Sequence, residues 1–256
     1  MIPGKSVFLL LLSGALLAGP DPAAAQEKVK ALEIEIEAGT LFSNYVWRGI
    51  RLSEGPVYQS SVTAGYRGFS LNLWNNFDFD SGEFNEVDFT ASYSRELKKF
   101  TFETGLIHYG NFDLPDSDEL FVSVSADSRL RPSLEAVFDV NAGNGMFLRP
   151  SIGHTFELSP RILLELGMAM GIVFQDSYMG TPDSGEEFTG LHNAEITAAC
   201  PIDLGRGWTL KLQAAASTPL SRSARQAIVN SSVCRPGERF CNGTIVYGGI
   251  TFSHAF

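Results

Sequence analysis

Residues 247–256, Tyr-Gly-Gly-Ile-Thr-Phe-Ser-His-Ala-Phe, alternate apolar with small or polar side chains and finish on an aromatic. Steps of two back from Phe256 collect His254, Phe252, Ile250, Gly248 and Val246 on one face; Ala255, Ser253, Thr251, Gly249 and Tyr247 fall on the other. This is the period of a strand with one apolar face. A terminal strand ending on an aromatic is the expected closing strand of a bacterial outer-membrane barrel. Phe256 is then the targeting residue, read by the barrel-assembly machinery.

The opposite end agrees. Met1 to Gln26 carries one early cation (Lys5), an apolar run from Val7 to Leu17, and Ala23-Ala24-Ala25. That pattern predicts a secretory signal peptide over residues 1–25, cleaved after Ala25, and a barrel domain over residues 26–256. After Gln26 there is no uninterrupted apolar run of the roughly 18 residues a spanning helix needs. Membrane insertion would therefore be by strands. Mean hydropathy is near zero, as expected when lipid-facing and lumen-facing residues alternate. The formal net charge of −10 argues against nucleic acid as a partner, since binding it rewards Lys and Arg clusters.

Strand patterns fall at 32–42, 57–66, 69–79, 87–96, 100–109, 120–127, 133–141, 147–158, 162–174, 191–202, 208–217 and 244–256. An even set of about twelve predicts an all-β, antiparallel up-and-down transmembrane barrel. The connections sort by length. Arg67-Gly68, Leu97-Lys98-Lys99, Ser128–Pro132, Ser159-Pro160-Arg161 and Asp203–Gly207 are short and follow every second strand. The connections between them are mostly longer, which is the rim asymmetry of an outer-membrane barrel. Phe69, Leu71, Leu73 and Phe77 oppose Ser70, Asn72, Asn76 and Asp78, and Ile162 to Phe174 carries the longest apolar stripe. The polar face is too wet for a soluble core, so the greasy face is predicted to be outside.

Alternation places Glu33, Glu35, Glu37, Asp78, Asp88, Glu103, Glu135, Asp139, Glu157, Glu165 and Glu195 inward, against Arg149 and Lys211. An open lumen with this lining concentrates cations and repels anions. The channel-lining set is thus Asp78, Asp88, Glu103, Glu135, Asp139, Arg149, Glu157, Glu165, Glu195 and Lys211. The alternative is an interior plugged by Glu–Arg and Glu–Lys pairs. Twelve strands ~4.8 Å apart and tilted ~40° give a backbone diameter of roughly 24 Å, leaving a narrow passage for small solutes.

The least generic stretch is Ser43-Asn-Tyr-Val-Trp-Arg-Gly-Ile-Arg-Leu-Ser-Glu-Gly-Pro56. Its aromatic-x-aromatic-Arg-Gly core (Tyr45, Trp47, Arg48, Gly49), followed by a Ser and a Pro, resembles the opening motif of the TorF-like family of outer-membrane porins. The resemblance weakens through Trp74-Asn75-Asn76 and continues in layout to Phe256. It implies a barrel in the outer membrane of a Gram-negative bacterium and a pore, and it supplies no catalytic residues. Two facings of the motif are open. With a bulge near Ser43, Tyr45 and Trp47 join the aromatic girdle at the outer interface and Arg48 turns in to meet Asp78 or Asp80, as a latch on the lumen carboxylates. Strict alternation from Ile34 places Tyr45 and Trp47 inside and Arg48 toward lipid.

Cys234 and Cys241 lie in the longest loop and are expected to form a disulfide, while Cys200 is left over near a short turn. The three cysteines make no zinc pattern. His108, His154, His192 and His254 sit in no nucleophile signature, and neither enzyme activity, a cofactor nor a metal is expected. The acidic run Asp113–Glu119 is expected to bind divalent ions or to stay solvated, its sparse carboxylates lacking an EF-hand-like spacing. The function expected is passive diffusion of small cationic or neutral solutes. The runner-up is a non-conducting barrel that presents the 218–243 loop to a surface partner, with an outer-membrane hydrolase a more distant third.

Overall fold

The computed structural model describes residues 32–112, 115–233 and 243–256. The segment read as a signal peptide and the Cys234–Cys241 pair lie outside these residues. Twelve long strands form a closed antiparallel barrel: β1 (Glu33–Leu41), β4 (Val57–Tyr66), β5 (Phe69–Asp78), β6 (Glu83–Leu97), β7 (Phe100–Asn111), β8 (Ser117–Ala126), β9 (Ser133–Asp139), β10 (Met146–Ser159), β11 (Ile162–Phe174), β12 (Thr189–Gly205), β13 (Trp208–Pro219) and β14 (Ile245–Ala255). Each pairs with its neighbour in sequence, and β1 pairs with both β4 and β14. Closure runs from Glu35 opposite Ala255 to Leu41 opposite Gly249, leaving no unpaired sheet edge in the bilayer.

The faces are inverted relative to a soluble barrel. On β5, Phe69, Leu71 and Leu73 are 62%, 51% and 51% exposed, while Asn72, Asn76 and Asp78 between and beyond them are buried. The same contrast recurs on β11, where Leu166 and Met168 are exposed and Glu165 is buried. An apolar outer wall around a polar interior is stable only with lipid outside. Tight turns at one rim match their sequences: Arg67-Gly68 and Arg206-Gly207 both take positive φ, the two-residue geometry that fits the twist of paired strands.

Several strands run past the range their alternation predicts. β6 begins at Glu83, not Val87, β8 at Ser117, not Leu120, and β12 spans Thr189–Gly205. The hydropathy pattern marks only the lipid-crossing part; hairpin pairing carries the ladder beyond it into water. Two elements lie off the wall. Strands β2 (Val46–Trp47) and β3 (Ile50–Arg51) form a separate ribbon, and the last long loop holds helix α1 (Arg222–Ser231).

Candidate functional site: the plugged lumen

The chain leaves the wall after Leu41 and returns at Val57, and the residues between fold as a hairpin inside the barrel. Arg48 and Gly49 form its tip, both with positive φ, the two-residue turn that closes a tight ribbon. Glycine is required at 49: a Cβ there would sit 3.1 Å from the Asn193 side chain and 3.1 Å from Ser217 Oγ. At the base, Ser53 Oγ accepts from the Tyr45 amide at 2.7 Å and donates to the Gly55 carbonyl at 2.9 Å. The sequence motif therefore encodes an inward-folded ribbon.

Each facing considered for it is half right: Tyr45 and Trp47 are inside, as strict alternation placed them, and Arg48 turns in as well, as the bulged version did. Tyr45 is 2% exposed and its ring lies 5.6 Å from that of Trp74; Trp47 meets Tyr109 edge-on at 5.9 Å. Neither residue is in an interfacial girdle. Arg48 reaches Glu119, with Nη1 to Oε1 at 2.6 Å and Nη2 to Oε2 at 2.7 Å, and not Asp78 or Asp80. Its guanidinium also lies over the rings of Trp47 and Phe147, at 4.4 and 4.7 Å. Alternation rules failed here because they assume the chain stays in the wall. Once it leaves, all three side chains can face the lumen.

Around the ribbon the lumen is packed like a protein core. Val57, Trp74, Tyr109, Phe121, Val137, Phe147 and Val173 from the wall, with Met179 and Phe188 from a loop, are all buried against Tyr45, Trp47 and Ile50. Helix α1 closes over this plug. Ser221 caps its start by accepting from the Ala224 amide, and Ala224, Ala227 and Ile228 form its buried face. Beyond its end, the Val233 amide donates to the Arg51 carbonyl at 2.8 Å and Arg51 Nε donates to the Val233 carbonyl at 2.7 Å. The helix was legible in sequence as a capping Ser before apolar residues at helical spacing, but the loop reading of 218–243 passed over it.

The residues expected to line a channel divide by height. Near the long-loop rim, Asp139 accepts from Ser117 Oγ at 2.7 Å and from the Asn141 amide at 2.9 Å, and Asp78 accepts from the Asp80 amide; both organise turns. At mid-height, Arg149 donates to Glu195 at 2.9 Å, and Tyr247 donates to the other Glu195 oxygen at 2.7 Å. Lys211 pairs with Glu37 at 3.2 Å. Asp88 is buried within the wall's inner face. Glu103 and Glu135 are half-buried, Glu165 is buried, and Glu157 is exposed near the short-turn rim. A cavity of about 70 Å³ lies below the ribbon and is lined by Trp47, Arg48, Trp74, Asp88, Tyr109, Glu135, Phe147, Arg149 and Glu195 among others.

The Asp113–Glu119 run does not act as one cluster. Asp118 pairs with His108 at 2.8 Å, Asp116 accepts from the Asn111 amide, and Glu119 turns inward to Arg48; Asp113 lies outside the described residues. His192 is fully buried, with Nε2 3.2 Å from the Met179 carbonyl. Cys200 is a free, half-buried thiol. In the loop above the plug, burial raises the Asp176 carboxyl to about 6 against the opposing pull of Arg48, with Asp139 and Glu119 adding to the rise. Burial likewise pushes the Tyr178 hydroxyl up to about 12, helped by nearby carboxylates.

Fold and faces define a transmembrane β-barrel of the outer-membrane class. Among solved structures it is similar to a NanC porin, with TM-score 0.52, 11% identity, and coverage of 88% of this chain and 98% of that one. It also aligns with an outer membrane channel from Pseudomonas putida F1 (TM-score 0.48, 8% identity, 94% and 100% covered). A third alignment is with an anion-selective porin from Comamonas acidovorans (TM-score 0.40, 10% identity, 89% and 99% covered). No family model matches the chain, and no curated protein matches it. The likeness to the TorF-like family thus rests on the Ser43–Pro56 stretch and its layout.

Proposed function

We propose that this protein is an outer-membrane channel for small cationic or neutral solutes, a porin of the kind its TorF-like motif implies, narrowed by the β2–β3 ribbon. The observation that carries this reading is the asymmetry of the lumen. Its upper half is a packed plug. Below it the inward-facing carboxylates Glu37, Glu103, Glu135, Glu157 and Glu165 outnumber the cations Lys211, Arg149 and Arg131. Carboxylates in a low-dielectric tube raise the local cation concentration. Transport by such a channel is passive and involves no chemical step at a residue. The test is the reversal potential of the refolded protein in a planar bilayer under a salt gradient. Cation selectivity that drops when Glu103, Glu135 and Glu165 are changed to Gln supports the reading, and selectivity unaffected by the triple change counts against it.

A second reading draws on the plug itself. A lumen sealed by Arg48–Glu119 and capped by α1 suits a non-conducting barrel that presents the 218–243 loop to a partner at the cell surface. Silence of a correctly folded barrel in the same bilayer, with and without its ribbon, favours that reading.

A further inference from the structure

The segment 175–190, between β11 and β12, ties the plug to its surroundings. Tyr178 lies edge-on to Trp47 of the ribbon at 6.4 Å, and its hydroxyl donates to the Pro115 carbonyl in the β7–β8 connection. The Ser177 amide donates to the Gly143 carbonyl in the β9–β10 connection at 3.2 Å. Asn230 of α1 donates to the Thr181 carbonyl at 3.0 Å, and Met179 is fully buried in the core that holds Ala224 and Ala227 of the same helix. One short segment thus touches the ribbon, two other connections and the helix.

Amid these contacts two carboxyl groups meet. Asp176 opens the turn Ser177–Met179 and is 1% exposed, and Asp139 ends β9 and is 5% exposed. Gly143 lets them approach: a Cβ there would run into Asp176 Oδ1 and stand 2.7 Å from Asp139 Oδ2, so the two oxygens are within about 5 Å of each other. Asp139 is held in place by the Asn141 and Asn144 amides and the Ser117 hydroxyl, and Asp176 by the Tyr178 amide. Two ionised carboxylates this close and out of water repel, and one proton between them removes the repulsion. Of the other charged groups facing the pair, Arg48 and Glu119 engage each other. Glu86 and Asp116 act on Tyr178, and His192 Nε2 lies 3.2 Å from the Met179 carbonyl.

We infer that segment 175–190 is a proton-operated clamp on the plug: a proton between Asp139 and Asp176 holds the ribbon and α1 in place, and its loss loosens them. The clamp stands on the geometry of the segment; only its consequence, a lumen more tightly closed in acid, rests on the channel reading. The direction follows from Asp176, which burial, Asp139 and Glu119 keep protonated to about 6 against the pull of Arg48. A segment that swings free returns this carboxyl to water and to its ordinary value of 3.8. Ionisation therefore favours the free segment, and its opening equilibrium should grow about tenfold from about pH 5 to about pH 7.5.

Hydrogen exchange on the refolded chain in detergent and EDTA tests this. The reporters are the Ser177, Met179 and Gly180 amides, bonded to the Gly143, Asp176 and Ser177 carbonyls, with each rate divided by that of the same sequence as a free peptide at the same pH. Their protection should fall about tenfold over that range in the native chain while amides in the middle of β4 and β5 stay constant. Asp176→Asn keeps an acceptor for the Tyr178 amide and should flatten the profile. Asp139→Asn removes the neighbouring charge and should move the fall to lower pH. Heat-modifiable gel migration confirms that each variant is folded. A flat native profile, the native slope retained in Asp176→Asn, or an equal loss of protection in β4 and β5 overturns the clamp. Conductance is read separately: a barrel silent at every pH with the predicted exchange keeps the clamp and removes the channel, and a conducting barrel with flat exchange does the reverse.

Discussion

Arg48 is the residue on which the plug turns. Its bidentate contact to Glu119, with Tyr109 donating to the same carboxylate at 2.9 Å, joins a loop to a wall strand across the lumen. Glu119 is only 2% exposed, so removing the cation leaves a buried charge without its counter-ion, a loss of about 3 kcal/mol. Arg48→Ala should lower the urea midpoint of the refolded barrel and raise its open probability in a bilayer; a variant unchanged in both would remove the latch role. Asp176 gives a pH-dependent counterpart in the loop above. In the unfolded chain it ionises near 3.8, whereas in the folded chain it keeps its proton to about 6. Between those values the folded chain holds more protons than the unfolded one, so this group's contribution to stability falls as pH rises through the window and levels off above it. Asp176→Asn keeps an oxygen for the Tyr178 amide and should flatten part of the pH 4 to 7 dependence of the urea midpoint. An identical slope in the variant would assign that dependence to other groups.

At the scale of elements, the wall and the plug were unequally legible. Period-two alternation located β4 and β11 to the residue and the other barrel strands to within a few, because lipid outside and polar lumen inside impose one rule on every wall residue. The ribbon obeys no such rule. Its signal was the Arg48-Gly49 pair, a hairpin tip read instead as part of a motif, and its partner Glu119 was hidden in a run taken for a loop. Those contacts span 71 residues, a distance over which local pattern carries no information. Helix α1 stands between the two cases, with a cap and apolar spacing in sequence but its docking surface on β3 and β12 visible only in the fold. Ser221→Ala should cost the helix about 1 kcal/mol by freeing an N-terminal amide. Limited proteolysis of the folded barrel within residues 221–233 should then accelerate, and an unchanged cleavage rate would mean that docking, not the cap, holds the helix.

For the whole molecule, the channel we propose divides labour between a barrel that crosses the membrane and a ribbon that narrows its lumen. The barrel does not need the ribbon to close, since β1 and β4 are already paired up to Leu41 opposite Val57 and a short linker can join those ends. The measurement that tests this most directly is single-channel conductance under a salt gradient, comparing the native chain with a variant whose residues 44–54 are replaced by a short Gly-Ser linker. The account predicts small cation-selective openings for the native chain and severalfold larger, still cation-selective ones for the variant. Equal conductance in the two, or silence in both despite a folded barrel, would contradict it.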